Sequence, residues 1–219
     1  MSVTRDVQAS MFPDIQPDKP VGSSVASVQT GTNADLISKV APLYLTGSVL
    51  DVTYGEGKWW DRFTPDPFTF HDLHKVDGVD FRALPHEDRS FDAVCFDPPY
   101  VPQGGTSTSG GPANFRDRFG LLDESTPWWE TKKLIEDGLT ECARVTSCWL
   151  LAKCSDFVSG GKFHVGSRWM MDAADAAGLG DPWDVLVHHT GSGPGGHNIT
   201  VPIRARRHHS YLLVFRRVA

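Results

Sequence analysis

The sequence predicts an α/β fold in which a mostly parallel sheet carries helices on both faces. Short apolar runs that end in an acid recur along the chain, at Asp51, Asp72 and Asp97, and such runs are typical of buried strands. Segments with apolar residues at helical spacing alternate with these runs, as in parallel sheets. The length of 219 residues suits a single domain. Because ligands bind at the carboxyl ends of such strands, the three acids mark a candidate site.

The composition disfavours several classes of protein. The net charge of −6 argues against a protein that coats nucleic acid without specificity. No apolar run is long enough to cross a membrane, and the polar N-terminus is unlike a signal peptide, so we expect a cytoplasmic protein. The cysteines lie within apolar patterns without metal-ligand spacing, so we expect reduced core thiols and no metal. They are Cys95, Cys142, Cys148 and Cys154.

The N-terminal part is predicted to hold an arm and a helix. Residues 1–28 are polar, contain proline and show no periodicity, so we expect a flexible arm before a single domain at 29–219. The helix is predicted to begin at Thr32, with Asp35 completing a capping box. Apolar residues then follow at helical spacing and predict one buried face. They are Leu36, Ile37, Val40, Leu43 and Tyr44.

A strand and a glycine-containing turn are predicted at 48–57. The apolar run ends at Asp51, and the turn contains Gly55 and Gly57. Glycine permits positive φ angles and lets the backbone approach a ligand closely. Asp51 could contribute to that site or could simply tie down the turn by hydrogen bonds. The third glycine of the dinucleotide-binding fingerprint is missing, which disfavours a nicotinamide cofactor.

Two further strands are predicted at 68–73 and 79–85. Asp72 ends the first of them, at a distance from the glycine turn that suits an acid accepting from two ribose hydroxyls. About five residues separate the two strands, too few for a crossover helix between parallel neighbours. Either a short link replaces that helix, or the assignment of Asp72 is wrong and Glu56 or Asp77 takes the ribose.

The next strand is predicted at 91–96 and leads into the tetrapeptide Asp97-Pro98-Pro99-Tyr100. The aromatic and β-branched bias favours a strand. Prolines cannot continue a ladder, so the chain leaves the sheet at Asp97. Asp97 and Tyr100 are therefore expected at the mouth of a site. The simpler alternative is a strand-to-loop turn without chemistry.

The long segment 101–125 is rich in Gly, Ser and Thr and predicts a lid beside this strand end. Asn114, Arg116 and Arg118 lie in the middle of it. The alternative is a binding loop or a disordered connection.

The C-terminal part continues the alternation of helices and strands. A helix is predicted from Thr126-Pro127, a fifth strand at 147–154, a helix capped by Ser167, and two last strands at 184–188 and 211–215. The link at 190–210 becomes basic towards its end, so it offers candidate phosphate contacts. These contacts are Arg204, Arg206 and Arg207.

Two motifs resemble those of a known enzyme class. The turn from Asp51 to Gly57 resembles the cofactor loop of class I S-adenosylmethionine-dependent methyltransferases. The tetrapeptide at 97–100 resembles the catalytic motif of the amino-methyltransferases that act on adenine N6 or cytosine N4 in DNA. The resemblance implies a Rossmann-like, seven-stranded sheet with an antiparallel last strand, and S-adenosylmethionine as cofactor. Implied cofactor-binding residues are Thr32, Asp51, Thr53, Tyr54, Gly55, Gly57, Asp72, Asp80, Phe81 and Asp97, with Asp80 receiving the cofactor's adenine amino group and Phe81 packing on its ring.

The tetrapeptide suits chemistry at an exocyclic amino group, whose lone pair is delocalised into the base. Asp97 can accept one amino proton, and the Pro98 carbonyl, directed by Pro99, can accept the other. Tyr100 would stack on the base for about 1–3 kcal/mol. A base within a duplex is out of reach, so it would be flipped out or taken from a single strand. The resemblance thus implies that Asn114, Arg116 and Arg118 of the lid contact nucleic acid.

The sequence therefore predicts a DNA adenine-N6 methyltransferase with DNA as its partner, acting as a monomer or weak dimer. Its compact size resembles that of methylases borne by phages or other mobile elements. The alternatives are a cytosine-N4 methylase, an RNA amino-methyltransferase, and a regulator that binds cofactor or nucleic acid without catalysis.

Overall fold

The computed structural model describes residues 24–99, 127–159, 162–190, 205 and 207–218. Nine strands occur in these ranges: β1 Val28–Thr30, β2 Val49–Asp51, β3 Phe68–Phe70, β4 Phe91–Phe96, β5 Thr146–Cys154, β6 Phe157–Ser159, β7 Lys162–His164, β8 Asp184–His189 and β9 Ser210–Arg216. The α-helices are α1 Asn33–Tyr44, α2 Trp128–Val145 and α3 Gly166–Ala176. A short 3₁₀ helix covers Lys58–Trp60.

Seven of these strands form one sheet in the order β1-β8-β9-β5-β4-β2-β3, and β6 and β7 form a separate hairpin. The last strand, β9, runs antiparallel to both of its neighbours. All other pairs in the large sheet are parallel. The predicted fold class, a mostly parallel seven-stranded sheet with an antiparallel last strand, is confirmed.

The prediction of a strand at 79–85 is wrong, because this segment forms turns. Asp80 closes one of them by accepting from the backbone N–H of Arg82 at 2.9 Å. The seventh strand is instead β1 at the opposite edge, where Val28 pairs with Val187 and Thr30 with His189. The sequence pattern missed β1 because three residues with a single buried side chain show no clear period.

Two helix starts differ from the prediction by one or two residues. Pro127 is the N-cap of α2 rather than its first helical residue, and Val165 rather than Ser167 is the N-cap of α3. The Ser167 hydroxyl instead donates to Asp156 at 2.8 Å. The capping box of Thr32 and Asp35 on α1 is present as predicted.

Each face of the sheet carries its own hydrophobic cluster. On one face α1 and the 3₁₀ helix pack on side chains of β2, β4 and β5, including Val49, Cys95 and Leu151. On the other face α2 and α3 cover Leu50, Val94 and Leu150, together with other buried residues. Alternation along the strands assigns neighbouring residues to opposite faces. The helices therefore lie on both faces, as predicted.

The core of α2 yields a prediction on stability. Ile135 is completely buried among the residues between α2 and the sheet. Truncation to alanine leaves a cavity, so we expect Ile135→Ala to lower the free energy of unfolding by about 2–5 kcal/mol. Val158→Ala is the matched control, because Val158 is 48% exposed and exposed truncations stay within about 0.5 kcal/mol. Urea denaturation measures both variants, and equal effects would contradict the assigned packing.

Candidate active site

The candidate site lies where the strand order of the sheet reverses. From β2 the chain proceeds to β3 on one side, whereas β4 lies on the other side of β2 and leads on to β5. In open α/β sheets, ligands bind at the carboxyl ends of the strands at such a switch point. Asp51 ends β2 and pairs with Cys95 of β4, so the acids after these two strands come close together.

The glycine turn after β2 is held by backbone hydrogen bonds. The N–H of Tyr54 donates to the His71 carbonyl at 3.0 Å, and the N–H of Gly57 donates to the Tyr54 carbonyl at 2.8 Å. Gly55 and Gly57 have φ angles of 57° and 69°, which lie in the left-handed region that favours glycine. The turn is thus a tight backbone structure of the kind that can lie against a ligand.

Asp51 is buried and ties this turn to the 3₁₀ helix. One carboxylate oxygen accepts from the Thr53 N–H at 2.8 Å, and the other accepts from the Trp60 indole N–H at 2.7 Å. Burial raises the pKa of Asp51, the hydrogen bonds from Thr53 and Trp60 oppose that rise, and the charge of Asp97 adds to it, so that the resulting pKa is about 7. Asp51 therefore changes its charge near neutral pH.

Asp72 lies just beyond β3 and also holds the glycine turn. One of its oxygens accepts from the Gly55 N–H at 2.9 Å. The other accepts from the N–H groups of His74 and Lys75 at 2.9 and 2.7 Å. A carboxylate offers about four acceptor positions, so one position remains for a ligand hydroxyl.

The two alternatives for a ribose contact are engaged with other side chains. Asp77 lies 2.6 Å from His71, which in turn contacts His86 at 2.7 Å. Glu56 lies 3.8 Å from the Lys75 ammonium. Both acids lie outside the cleft that contains Asp72.

Asp80 and Phe81 play different parts in the turn that replaces the predicted third strand. The Asp80 carboxylate is bound by the Arg82 guanidinium at 2.5–3.1 Å, and this contact, more than any other, lowers the pKa of Asp80. Phe81 is buried and meets Phe96 edge to face at 5.2 Å. Phe81 thus lines the cleft, whereas Asp80 is occupied by its own neighbour.

Asp97 follows β4 directly and joins the glycine turn to the tetrapeptide. Its backbone N–H donates to the Thr53 hydroxyl at 2.8 Å, and one carboxylate oxygen accepts from the Trp59 indole N–H at 3.0 Å. Desolvation raises the pKa of Asp97, while the charge of Lys153 and the bond from Trp59 oppose that rise. Pro98 and Pro99 are buried.

A cleft brings Asp72, Phe81 and Asp97 together. It is lined by Val52, Thr53, Asp72, Leu73, His74, Phe81, Asp97 and Pro99. Its wall combines an aromatic ring with two carboxylates and a hydroxyl, which suits a ligand that has both an apolar ring and hydroxyl donors.

Other predicted site residues lie away from this cleft or outside the described residues. Thr32 lines a second cavity with Lys58 and Arg62. The Arg207 guanidinium lies 4.5 Å above the Phe163 ring of the β6–β7 hairpin. The whole predicted lid at 101–125 and most of the basic link at 190–210 lie outside the described residues. So do the following predicted contacts: Tyr100, Asn114, Arg116, Arg118, Arg204 and Arg206.

Sequence reasoning missed Trp59, Trp60 and Lys153. The adjacent tryptophans each donate to one of the site's aspartates. Lys153 is 3% exposed and donates to the side-chain oxygen of Asn33. A lysine within the apolar run Leu150-Leu151-Ala152-Lys153-Cys154 is a signal that could have been noticed, because buried lysines need a partner.

Within the described ranges, no group of three or more acid, histidine or cysteine side chains is arranged to hold a metal ion. None of the helices described in the chain is both long and apolar enough to cross a bilayer.

No protein-family model matches the chain, and no curated protein matches its sequence. Among solved structures, a provisionally named DNA modification methylase from Thermus thermophilus, complexed with S-adenosyl-L-methionine, is 14% identical over 78% of this chain and 56% of that chain, with a TM-score of 0.43. A provisionally named methyltransferase from Bacillus halodurans is 14% identical over 84% and 97%, with a TM-score of 0.48. A SAM-dependent methyltransferase from Methanosarcina mazei is 10% identical over 82% and 97%, with a TM-score of 0.46.

The chain spans about half the length of the Thermus protein, with 56% of that protein covered. Since these identities are 14% or lower and these TM-scores are below 0.5, the fold class rests on the strand order described above. The function is argued from the side chains of the cleft.

Proposed function

We propose that this chain transfers a methyl group from S-adenosylmethionine to the exocyclic amino group of a base in DNA, with N6 of adenine as the acceptor. The observation that carries the proposal is the position of Asp97. Its carboxylate lies at the end of β4, its N–H is tied to Thr53 of the glycine turn, and two buried prolines follow it. A carboxylate and a directed carbonyl thus stand beside a cleft that suits a nucleoside.

The described residues fit the proposed cofactor. The cleft combines the aromatic ring of Phe81 with the acceptors of Asp72, which suit the adenine and the ribose of a nucleoside. Gly55 and Gly57 would let the backbone lie against the methionine part. Asp80 would receive the adenine amino group only by sharing its carboxylate with Arg82. When bound, this cofactor supplies a methyl group on a positively charged sulfur.

The part of Asp97 in the reaction follows from the properties of the acceptor nitrogen. The lone pair of an exocyclic amino group is delocalised into the base. Hydrogen bonds from both amino protons, to the Asp97 carboxylate and the Pro98 carbonyl, favour a pyramidal nitrogen with a localised lone pair. As the nitrogen gains the methyl group it becomes positively charged, and the carboxylate can take its surplus proton. Fixed positions for these groups supply much of the rate.

The lid and the basic link would supply the contacts to DNA. Tyr100 would stack on the flipped base, and Asn114, Arg116, Arg118, Arg204, Arg206 and Arg207 would contact the strand. Because five of these side chains are arginines, we expect binding to weaken by about 10²- to 10³-fold between about 50 and 200 mM salt.

The test is transfer of a tritiated methyl group from S-adenosylmethionine to unmethylated genomic DNA and to total RNA. The labelled nucleosides are then identified after digestion. We expect N6-methyladenine in DNA. Label in N4-methylcytosine or only in RNA would keep the reaction and change the substrate. Cofactor binding without label in either nucleic acid would indicate a regulator without catalysis.

The high pKa of Asp51 yields a prediction on cofactor binding. A carboxyl group with a pKa of about 7 is largely protonated at pH 6 and ionised at pH 8. The cofactor carries positive charge, so we expect tighter binding to the ionised form and a dissociation constant that falls by up to about 10-fold over this range. Calorimetry in two buffers of different ionisation enthalpy would also detect the proton released on binding.

Asp51→Asn is the matched variant for this experiment, because it cannot ionise. Its affinity for the cofactor should be lower, and the change of affinity between pH 6 and 8 should be smaller. An unchanged pH dependence in the variant would assign the titration to another group.

A further inference from the structure

Asp97, directly after β4, lies beside Lys153 of the neighbouring strand β5. Phe96, the last residue of β4, pairs with Ala152 of β5 in a parallel register, so the residues that follow this pair along the two chain segments are Asp97 and Lys153. By alternation, both side chains leave the sheet on the face that carries Cys95 and Leu151. This is the face covered by α1.

Lys153 is held in the interior by α1. It is 3% exposed, and its ammonium group donates to the side-chain oxygen of Asn33, the first residue of α1. A buried ammonium is unfavourable unless it has hydrogen bonds and a compensating charge. The Asn33 amide is neutral, and the opposite charge that acts most on Lys153 is that of Asp97. Burial of the lysine is thus linked to the ionised form of the aspartate.

Trp59 contacts the same carboxylate from the glycine-turn side. Its indole N–H donates to one oxygen of Asp97 at 3.0 Å, and the residue is only 7% exposed. In the described part of the chain the bond from Trp59 engages one oxygen, which leaves the other to accept an amino proton. A packed indole has little freedom to rotate, so it defines the direction of the carboxylate.

We infer that Lys153 and Trp59 are positioning residues for Asp97: Lys153 keeps the carboxylate ionised, and Trp59 fixes its direction. This inference rests on the proposed function, in which an ionised Asp97 accepts an amino proton of the base. Neither side chain needs to touch the substrate.

Titratable groups on β2, β5 and β8 also interact with this pair. The charge of Asp51 on β2 is coupled to that of Asp97. Burial and the charge of Lys153 lower the pKa of His188 on β8. Burial raises the pKa of the Cys154 thiol on β5, the charge of Asp97 raises it further, and the charge of Lys153 opposes this rise. Asp72 and His74 line the same cleft. Two described groups lower the pKa of Asp97, Lys153 and Trp59, and of these only Lys153 is positively charged.

The charge of Lys153 and the bond from Trp59 both lower the pKa of Asp97, against the rise caused by burial. Loss of either side chain should therefore raise the pKa of Asp97. Since only the ionised carboxylate is active in the proposal, the acidic limb of the activity profile should move to higher pH. An opposite charge changes a carboxyl pKa by about 1–3 pH units, so Lys153→Met should move the limb by about that much.

The experiment measures the pH profile of kcat and of kcat/KM for Lys153→Met and Trp59→Phe. We expect both variants to move the acidic limb upward and to recover activity at higher pH. Trp59→Phe should also lower kcat about 10- to 100-fold, because a bond to a charged group is lost. Lys153→Arg keeps the positive charge, so its acidic limb should lie between the limbs of wild type and Lys153→Met. Lys133→Met is the control, because Lys133 is exposed and pairs with Asp137 at 2.8 Å on α2.

A second measurement does not depend on methyl transfer. Carbon-13 NMR follows the Asp97 carboxyl signal during titration, with the signal assigned through Asp97→Asn. We expect a higher midpoint in Lys153→Met than in wild type, whether or not any nucleic acid is methylated. An unmoved midpoint would overturn the inference even if the enzyme is active. A moved midpoint without methyl transfer would leave the inference intact and overturn the proposed function.

A purely structural role gives a different result. If Lys153→Met only raises the KM for S-adenosylmethionine and leaves the limb in place, Lys153 acts on the cofactor and the inference is wrong. Should Lys153→Met fail to fold, as judged by circular dichroism, Trp59→Phe carries the test, because its aromatic ring keeps most of the packing.

Discussion

Asp97→Asn is expected to lower kcat for methyl transfer to DNA by about 10²- to 10⁴-fold. The substitution keeps the shape of the side chain but removes its charge and its ability to take a proton. One carbonyl oxygen then has to serve both the Trp59 indole and the amino group of the base. Single-turnover transfer of tritiated methyl groups measures the effect, and calorimetry shows whether the cofactor still binds.

Asp92→Asn is the matched control for this substitution. Asp92 lies on the same strand, β4, but near its other end, where its carboxylate accepts from the N–H and hydroxyl groups of Ser48 at 2.8 Å. The variant should lose some stability and keep its methyl transfer. Equal losses of activity in both variants would show that damage to β4, rather than the chemistry of Asp97, explains the result. Full activity of Asp97→Asn would contradict the assigned catalytic role.

Gly57→Ala is expected to weaken binding of S-adenosylmethionine by 10-fold or more, because about 1.4 kcal/mol corresponds to 10-fold. Gly57 has a φ of 69°, where any Cβ is strained by about 1–2 kcal/mol. A Cβ there would also lie 2.6 Å from the Tyr54 hydroxyl oxygen. Tyr54 is stacked on Phe70 at 4.1 Å, so the turn has to distort. Calorimetric titration with the cofactor measures the loss.

Gly178→Ala separates backbone strain from damage to the turn. Gly178 follows α3 with a φ of 79°, and a Cβ there meets no atom within 4 Å. Both variants should therefore lose stability through strain, but only Gly57→Ala should lose affinity for the cofactor. If the two variants bind the cofactor equally well, the glycine turn does not form the cofactor site.

The strands and their acids were predictable because their signals are local. A short apolar run that ends in an acid identifies β2 and β4 without knowledge of their neighbours. The two prolines after Asp97 require the chain to leave the sheet. The capping box of α1 is likewise a local signal, because it lies within four consecutive residues, from Thr32 to Asp35.

The errors arose where a short segment depends on a distant partner. β1 has three residues and forms because β8 offers an edge with which it can pair. The segment at 79–85 has strand-like residues but no crossover long enough to enter the sheet in parallel. It instead forms turns around Asp80, and Phe81 packs on Phe96. Propensity alone does not distinguish these two outcomes, since pairing and packing decide between them.

The sequence by itself determined the fold class, the positions of the acids at the strand ends, and the two motifs that suggest methyl transfer. Only the tertiary structure decided what surrounds Asp97. Trp59 and Lys153 are 38 and 56 residues away from it along the chain, and they meet it because β5 lies beside β4 and the 3₁₀ helix packs on the same face. Burial, charge and hydrogen bonding act through space, so the state of a carboxyl group depends on neighbours that no local pattern contains.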